Sequence, residues 1–162
     1  MIRYATVDDL KEIIAIYNSS IPERLATADL TPVSVGSRLS WFWEHDAARH
    51  PLWVYEDDGA IAGWLSLGAF YQRAAWDATA EIGVYVSPDH HRRGVAAGLV
   101  SEAISSSPEL GLTSLIALIF GHNQPSLNLF HRFGFEDWGQ MPNVCELDGV
   151  KRDVMILGRQ VA

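Results

Sequence analysis

Cysteine is nearly absent: Cys145 stands alone among 162 residues. That excludes an intrachain disulfide framework and fits a reducing compartment, so the expected location is cytoplasmic. Basic charge is scarce as well, with 12 Lys and Arg against 20 Asp and Glu. A net charge of −8 leaves no broad cationic face, which argues against a nucleic-acid partner or an anionic membrane surface. Long apolar runs are missing. None approaches the ~20 residues of a membrane-spanning helix. Met1-Ile2-Arg3-Tyr4-Ala5-Thr6-Val7-Asp8 also lacks the uncharged apolar stretch of a signal peptide. No repeat, low-complexity tract or linker divides the chain, and residues 1–162 are expected to form a single domain. Asp89-His90-His91 invites a metal reading, but consecutive residues of one turn seldom aim at one ion, so no metal is expected.

Hydrophobic residues make up 48% of the chain and aromatics 10%, enough for a full core. Ile2 to Ala5 suits a short strand. Thr6, with Asp9 three residues on, reads as a helix cap, and Leu10, Ile13, Ile14 and Tyr17 form the stripe that follows. Thr31-Pro32 is a second helix-start signal, introducing a helix with Leu39, Trp41, Phe42 and Trp43 that ends by Pro51. Leu52 to Tyr55 and Ile61 to Leu67 are strand-like, joined by Asp57-Asp58-Gly59, so the first three strands should be antiparallel. Thr79 to Val86 and Leu115 to Phe120 are the next strands. A helix between them makes a crossover and forces that pair to be parallel. Asn123-Gln124-Pro125-Ser126 opens a helix ending at Gly134, and short strands near Glu136 to Gln140 and Arg152 to Leu157 finish the chain.

The most informative stretch joins the strand Glu81-Ile82-Gly83-Val84-Tyr85-Val86 to His91-Arg92-Arg93-Gly94-Val95-Ala96-Ala97. Backbone N–H groups at a helix start have no partner inside the helix and sit at the positive end of its dipole. Gly94 removes a Cβ, and Arg92 and Arg93 add charge, so the turn suits a pyrophosphate. On the preceding strand, alternation puts Glu81, Gly83 and Tyr85 on one face and Ile82, Val84 and Val86 on the other.

This order of elements and this turn resemble the GNAT N-acetyltransferase superfamily. The family turn reads Gln or Arg, two residues, Gly, one residue, then Gly or Ala; His91 replaces its first position. Asn123, Leu129-Phe130 and Gly134-Phe135 match a second family signature. The resemblance implies an α/β (α+β) fold: a mixed, mainly antiparallel central sheet with one parallel, splayed strand pair and helices on both faces. It also implies acetyl-CoA as cosubstrate and direct transfer to an amine.

A narrower likeness runs through Ile16-Tyr17-Asn18, Trp41-Phe42, Phe70 to Trp76, Thr79-Ala80-Glu81 and Gly139-Gln140-Met141-Pro142. It resembles the phosphinothricin and methionine sulfoximine or sulfone acetyltransferase branch. The chain departs from that branch at Glu146-Leu147-Asp148-Gly149, where relatives often carry Lys-Phe before the final Gly.

The resemblance assigns Glu81 as general base and Arg73 as a clamp for the substrate carboxylate, with Phe70, Tyr71 and Trp76 walling the pocket. Strand position alone favours a plainer reading, in which Glu81 merely pairs with Arg73 or lies at a wet strand end; the family match turns it toward catalysis. The expected coenzyme contacts are Val84, Tyr85, Val86, His91, Arg92, Arg93, Gly94, Val95, Ala96, Ala97, Asn123 and Ser126. Asn123 serves equally well as a helix cap, and Ser126 as a solvent-facing serine. Where many relatives carry a tyrosine that protonates the departing thiolate, this chain has Phe130, leaving Tyr85 or a water for that step. The expected partner is a small amine, and homodimer formation is left open. Two other readings stand beside this one: a non-catalytic acyl-CoA sensor, suggested by Phe130 and His91, and an acetyltransferase of protein N-termini or lysines.

Overall fold

A computed structural model describes all residues, 1–162. Seven strands form one sheet: β1 (Ile2–Tyr4), β2 (Leu52–Asp57), β3 (Ala60–Ala69), β4 (Thr79–Val86), β5 (Ser114–Phe120), β6 (Glu136–Leu147) and β7 (Val150–Gln160). Their spatial order is β1-β2-β3-β4-β5-β7-β6, antiparallel throughout except for β4 beside β5. The helices are α1 (Leu10–Ser19), α2 (Leu39–Trp43), α3 (Val95–Ser106) and α4 (Gln124–Arg132). The mixed, mainly antiparallel architecture inferred from the sequence is the one observed.

Strand alternation separates two cores. Trp53, Leu65, Leu67 and Ile82 turn to one face, where α3 contributes Val95, Leu99, Val100 and Ala103, and α4 contributes Leu127, Leu129 and Phe130. Leu52, Val54 and Trp64 turn to the other, against Leu10, Ile13 and Ile14 of α1 and Phe42 of α2. Helices therefore cover both faces. No helix is long and apolar enough to cross a membrane.

Two features differ from the sequence reading. Thr31-Pro32 starts no helix; the chain stays irregular until a 3₁₀ turn at Gly36–Arg38 leads into α2. Asn18 holds this segment, its Oδ1 accepting from Val33 N and its Nδ2 donating to Val33 O, both at 2.9 Å. A tertiary clasp overrides the local signal, and Ser34 takes the capping role, with Oγ accepting from Ser37 N. The last two strands are also longer than expected. Pro142 lies inside β6, where the register slips between Met141 and Cys145 and Asn143 adopts φ 53°. The bulge absorbs the missing N–H. Asp148-Gly149, both at positive φ, then closes the hairpin to β7.

The feature that shapes the site is the brevity of the parallel pairing. β4 and β5 are in register only at Thr79↔Ser114, Ala80↔Leu115 and Glu81↔Ile116, after which they part. Ser87 N donates to Ala62 O at 2.8 Å, which fixes the phase of the β3–β4 ladder. Tyr85, Gly83 and Glu81 bond toward β3, and the main-chain groups of Val84 and Val86 face the opening.

Candidate active site

Beside this opening lies a cavity of about 560 Å³, walled by Tyr17 of α1, Arg38, Trp41, Glu44 and His45 in and around α2, His50, and strands β3 and β4. Glu81, Gly83 and Tyr85 all line it, as the alternation along β4 requires. Glu81 sits at the last paired position, where the strands part. Its carboxylate opens into the cavity, and desolvation by the walls is the one influence on it, pushing its pKa up. It does not pair with Arg73.

An aromatic row floors the cavity. Tyr85 stacks on Trp64, with centroids 4.7 Å apart and an interplanar angle of 23°. Trp64 in turn meets Trp41 edge-on at 5.5 Å, and Trp41 meets His45 at 4.8 Å. The Trp64 indole N–H is anchored on Ile13 O at 3.0 Å. The Tyr85 hydroxyl donates to Ala26 O at 3.2 Å, and burial pushes its pKa far above the ordinary phenol value, so the proton is retained. Ala26 belongs to a strap between α1 and α2. His122 donates to Arg24 O at 2.7 Å and Asn123 to Leu25 O at 3.0 Å. Tyr17 bonds Thr27 and Asp29, and Arg38 pairs with Asp29 at 2.9 Å.

The turn before α3 is built as a cradle. Arg92 and Gly94 have φ of 62° and 78°. No amide from His91 to Ala97 donates to a protein group, although the surrounding turns and caps are bonded. A Cβ on Gly94 would meet no atom within 4 Å, so the space above it is open. Arg92 and Arg93 are exposed beside it, whereas Val95 turns its side chain into the core. These groups fit a diphosphate, which needs several convergent donors and positive charge. His91 Nε2 donates to Val86 O at 3.2 Å, locking the turn to the end of β4.

Other expected site residues fall elsewhere. Arg73, Trp76 and Tyr71 line a neighbouring depression that shares His50, Ala69 and Gln72 with the Glu81 cavity. Phe70 packs edge-on to Trp76 at 5.7 Å. Asn123 is a helix cap, Oδ1 accepting from Ser126 N at 3.3 Å, and it also grips the strap. Phe130 is buried against Phe135, 4.9 Å between centroids. His90 faces Asp57 at 3.9 Å while His91 turns to Val86, so the Asp89-His90-His91 run does not converge. Sequence reasoning missed Tyr17, Arg38, Trp41, His45, His50 and Trp64. For Trp64 and His50 the signal was present in the pairing register of β2 and β3; for the α2 residues, local pattern held none.

A sheet that opens after one short parallel pairing, beside a bare amide cradle and an unpartnered carboxylate open to the cavity, defines an acyl-CoA-dependent transferase of the GNAT class. The chain belongs to the acetyltransferase (GNAT) family, whose pattern matches residues 10–135. It is 44% identical over 162 residues to YwnH of Bacillus subtilis, named as a candidate phosphinothricin acetyltransferase, covering 99% of each chain. It is 35% identical over 149 residues to the L-methionine sulfoximine/L-methionine sulfone acetyltransferase of Pseudomonas aeruginosa, covering 91% of this chain and 87% of that one. A phosphinothricin acetyltransferase from Sinorhizobium meliloti, solved with acetyl-CoA, superposes with a TM-score of 0.94 at 29% identity, covering 100% of this chain and 88% of that one. The chain is an acetyltransferase, and acetyl-CoA is its cosubstrate.

Proposed function

We propose that this enzyme transfers acetyl from acetyl-CoA directly to the amine of a small carboxylated substrate, an amino acid or an analogue such as methionine sulfone, methionine sulfoximine or phosphinothricin. The carrying observation is Glu81, a carboxylate without a partner, raised in pKa, at the point where β4 leaves β5. A group so placed is poised to take a proton from a substrate ammonium. The cavity volume of about 560 Å³ suits a small molecule rather than a peptide tail, which needs an open groove.

The amides of His91 to Ala97 with Arg92 and Arg93 hold the coenzyme diphosphate. The main-chain groups of Val84 and Val86 orient the arm that carries the acetyl, with the second N–H of Asn123 and the Ser126 hydroxyl beside it. Phe130 has no proton to give, and Tyr85 holds its own on Ala26 O with a raised pKa; a thiolate of pKa ~8.5 is a fair leaving group near neutrality, so a water suffices to protonate it. Two guanidinium groups compete for the substrate carboxylate. Arg38 is in the wall but already paired with Asp29; Arg73 is one depression away, stacked over Tyr71 at 5.9 Å with no acid partner. The unspent charge makes Arg73 the better clamp, with Phe70 and Trp76 holding its loop.

The test is release of free CoA thiol with a panel of amines: the three analogues above, proteinogenic amino acids and a short peptide with a free N-terminus. Turnover is expected on the amino-acid analogues, with Arg73→Ala raising KM for carboxylated amines more than Arg38→Ala does. Tight acetyl-CoA binding with no turnover on any amine would establish the sensor instead, and preference for the peptide would establish a protein acetyltransferase.

A further inference from the structure

Acetylation of an ammonium ion removes two protons from nitrogen, which one carboxylate meets only by shedding the first before it takes the second. The nitrogen starts with three protons and ends, as a secondary amide, with one. As the C–N bond forms and the C–S bond breaks, two protons leave the nitrogen; one finally rests on the CoA sulfur and one goes to water. Glu81 holds one proton at a time, so it can serve both losses only by passing the first proton on, and a second acceptor near the nitrogen would remove that relay.

The strand register supplies a candidate. Leu52 pairs with Ser66, and Leu67 N donates to Pro51 O at 3.0 Å, carrying the same register one residue further. His50 therefore stands opposite Gly68, and Gly68 pairs with Glu81. The three form one row across β2, β3 and β4, all lining the cavity. Neighbouring strands are about 4.8 Å apart, so His50 and Glu81 flank the middle strand at roughly 10 Å between Cα atoms. The middle position has no side chain, and a Cβ built on Gly68 would meet nothing within 4 Å. The row is a gap flanked by two groups without hydrogen-bond partners: the His50 ring, whose Nε2 is closed off from solvent, and the Glu81 carboxylate.

We propose that the gap over Gly68 receives the substrate nitrogen, with Glu81 and His50 each accepting one of the two protons it loses. This rests on the reading of Glu81 as general base and adds His50 as a second catalytic residue. The environment suits the role. Burial lowers the His50 pKa, and the charges around it oppose one another: Asp46 and Asp77 favour the cation, Arg49 disfavours it. Glu44 and His45 just beyond α2, Arg38, Tyr17 and Tyr85 in the cavity wall, Glu81 on β4 and Arg73 across the adjoining depression complete the titratable and charged groups facing this row. The ring is thus a neutral acceptor at working pH.

Two variants test it, each with acetyl-CoA affinity measured separately to show that the cradle is intact. In the native enzyme the acid limb of log kcat/KM against pH, read with methionine sulfone, should approach a slope of two as both acceptors titrate. His50→Gln should lower kcat/KM by roughly tenfold to hundredfold and reduce that slope to one. Gly68→Ala puts a methyl group into the gap without touching any neighbour, and should raise amine KM at least tenfold with acetyl-CoA binding unchanged. Should His50→Gln misfold, Gly68→Ala decides alone. Native-like kcat/KM in either folded variant, or a slope unaltered in His50→Gln, overturns the proposal. Absence of turnover in the native enzyme, or full activity in Glu81→Gln, overturns instead the reading it rests on.

Discussion

Replacing Glu81 by glutamine separates catalysis from stability, because the two should move in opposite directions. The glutamine keeps the shape and removes the charge. Loss of a general base costs about 10²- to 10⁴-fold in kcat/KM, or roughly 3 to 5 kcal/mol of transition-state stabilisation. The carboxylate is raised in pKa by desolvation alone. In the folded state it holds its proton to higher pH than in the unfolded chain, so stability falls as pH rises from the unfolded value through the folded one, and the loss persists above. Because the group still meets cavity water, the penalty is discounted to about 1 kcal/mol or less, equivalent to about 2–4 °C in Tm for a chain of this size. Glu81→Gln should therefore melt slightly higher than the native enzyme at pH 8 and equal to it below pH 4, while nearly losing thiol release from acetyl-CoA. A variant that kept activity within threefold would refute the base, and one that melted lower at pH 8 would refute the unpartnered carboxylate.

Three further outcomes follow from local geometry. Gly94→Ala forces an L side chain to φ 78°, costing about 1–2 kcal/mol, and crowds the open space above the cradle; titration calorimetry should show acetyl-CoA binding at least tenfold weaker in a protein that still melts cooperatively. Arg3 forks both oxygens of Asp9 at 2.8 and 2.9 Å and holds its pKa below the usual carboxylate range. Arg3→Gln should cost about 1–3 kcal/mol near neutrality, a difference that shrinks as acid protonates Asp9 below its depressed pKa, read by urea melts between pH 7 and pH 2. Gly158→Ala places a Cβ 2.0 Å from the Trp138 ring, so the indole must leave its seat on β7; a loss of about 1–3 kcal/mol is expected, with acetyl-CoA affinity per folded molecule preserved.

Features written in short-range pattern were legible before any coordinates. The β2–β3 hairpin, the face shared by Glu81, Gly83 and Tyr85, and the glycine turn before α3 each depend on residues within a few positions of one another. Features that depend on distant partners were harder to read. Thr31-Pro32 carries a helix signal that loses to Asn18, thirteen residues away, whose side chain holds Val33 extended. The strand expected near Glu136 to Gln140 runs on past Pro142, because a bulge shared between β6 and β7 cannot be seen from β6 alone. Arg73 and Glu81 lie eight residues apart and were expected in one pocket. The 3₁₀ turn at Ala74–Trp76 swings the arginine into the next depression. His50 had no local signature at all; only the register from Leu52 through Pro51 sets it across Gly68 from Glu81.

The parting of β4 from β5 accounts for why cradle and cavity stand where they do. Three paired residues are enough to fix the strands in parallel, and ending the pairing at Glu81 leaves five residues of β4 bonded on one side only. Those five carry the chain about 17 Å from the carboxylate at 3.3–3.4 Å per residue, and Ser87 to His90 complete the path to the cradle. The unbonded edge between them, facing the equally unpaired end of β5, offers backbone donors and acceptors to a ligand. A sheet zipped to its end would satisfy those groups internally, as buried amides require, and would leave the amides of His91 to Ala97 without a path to Glu81. An extended arm that bonds to that edge would be held in line from one end to the other. The Ile82 and Val84 side chains then need only fill the core face, which is why apolar residues suffice there and the demanding residue, Glu81, comes at the fork.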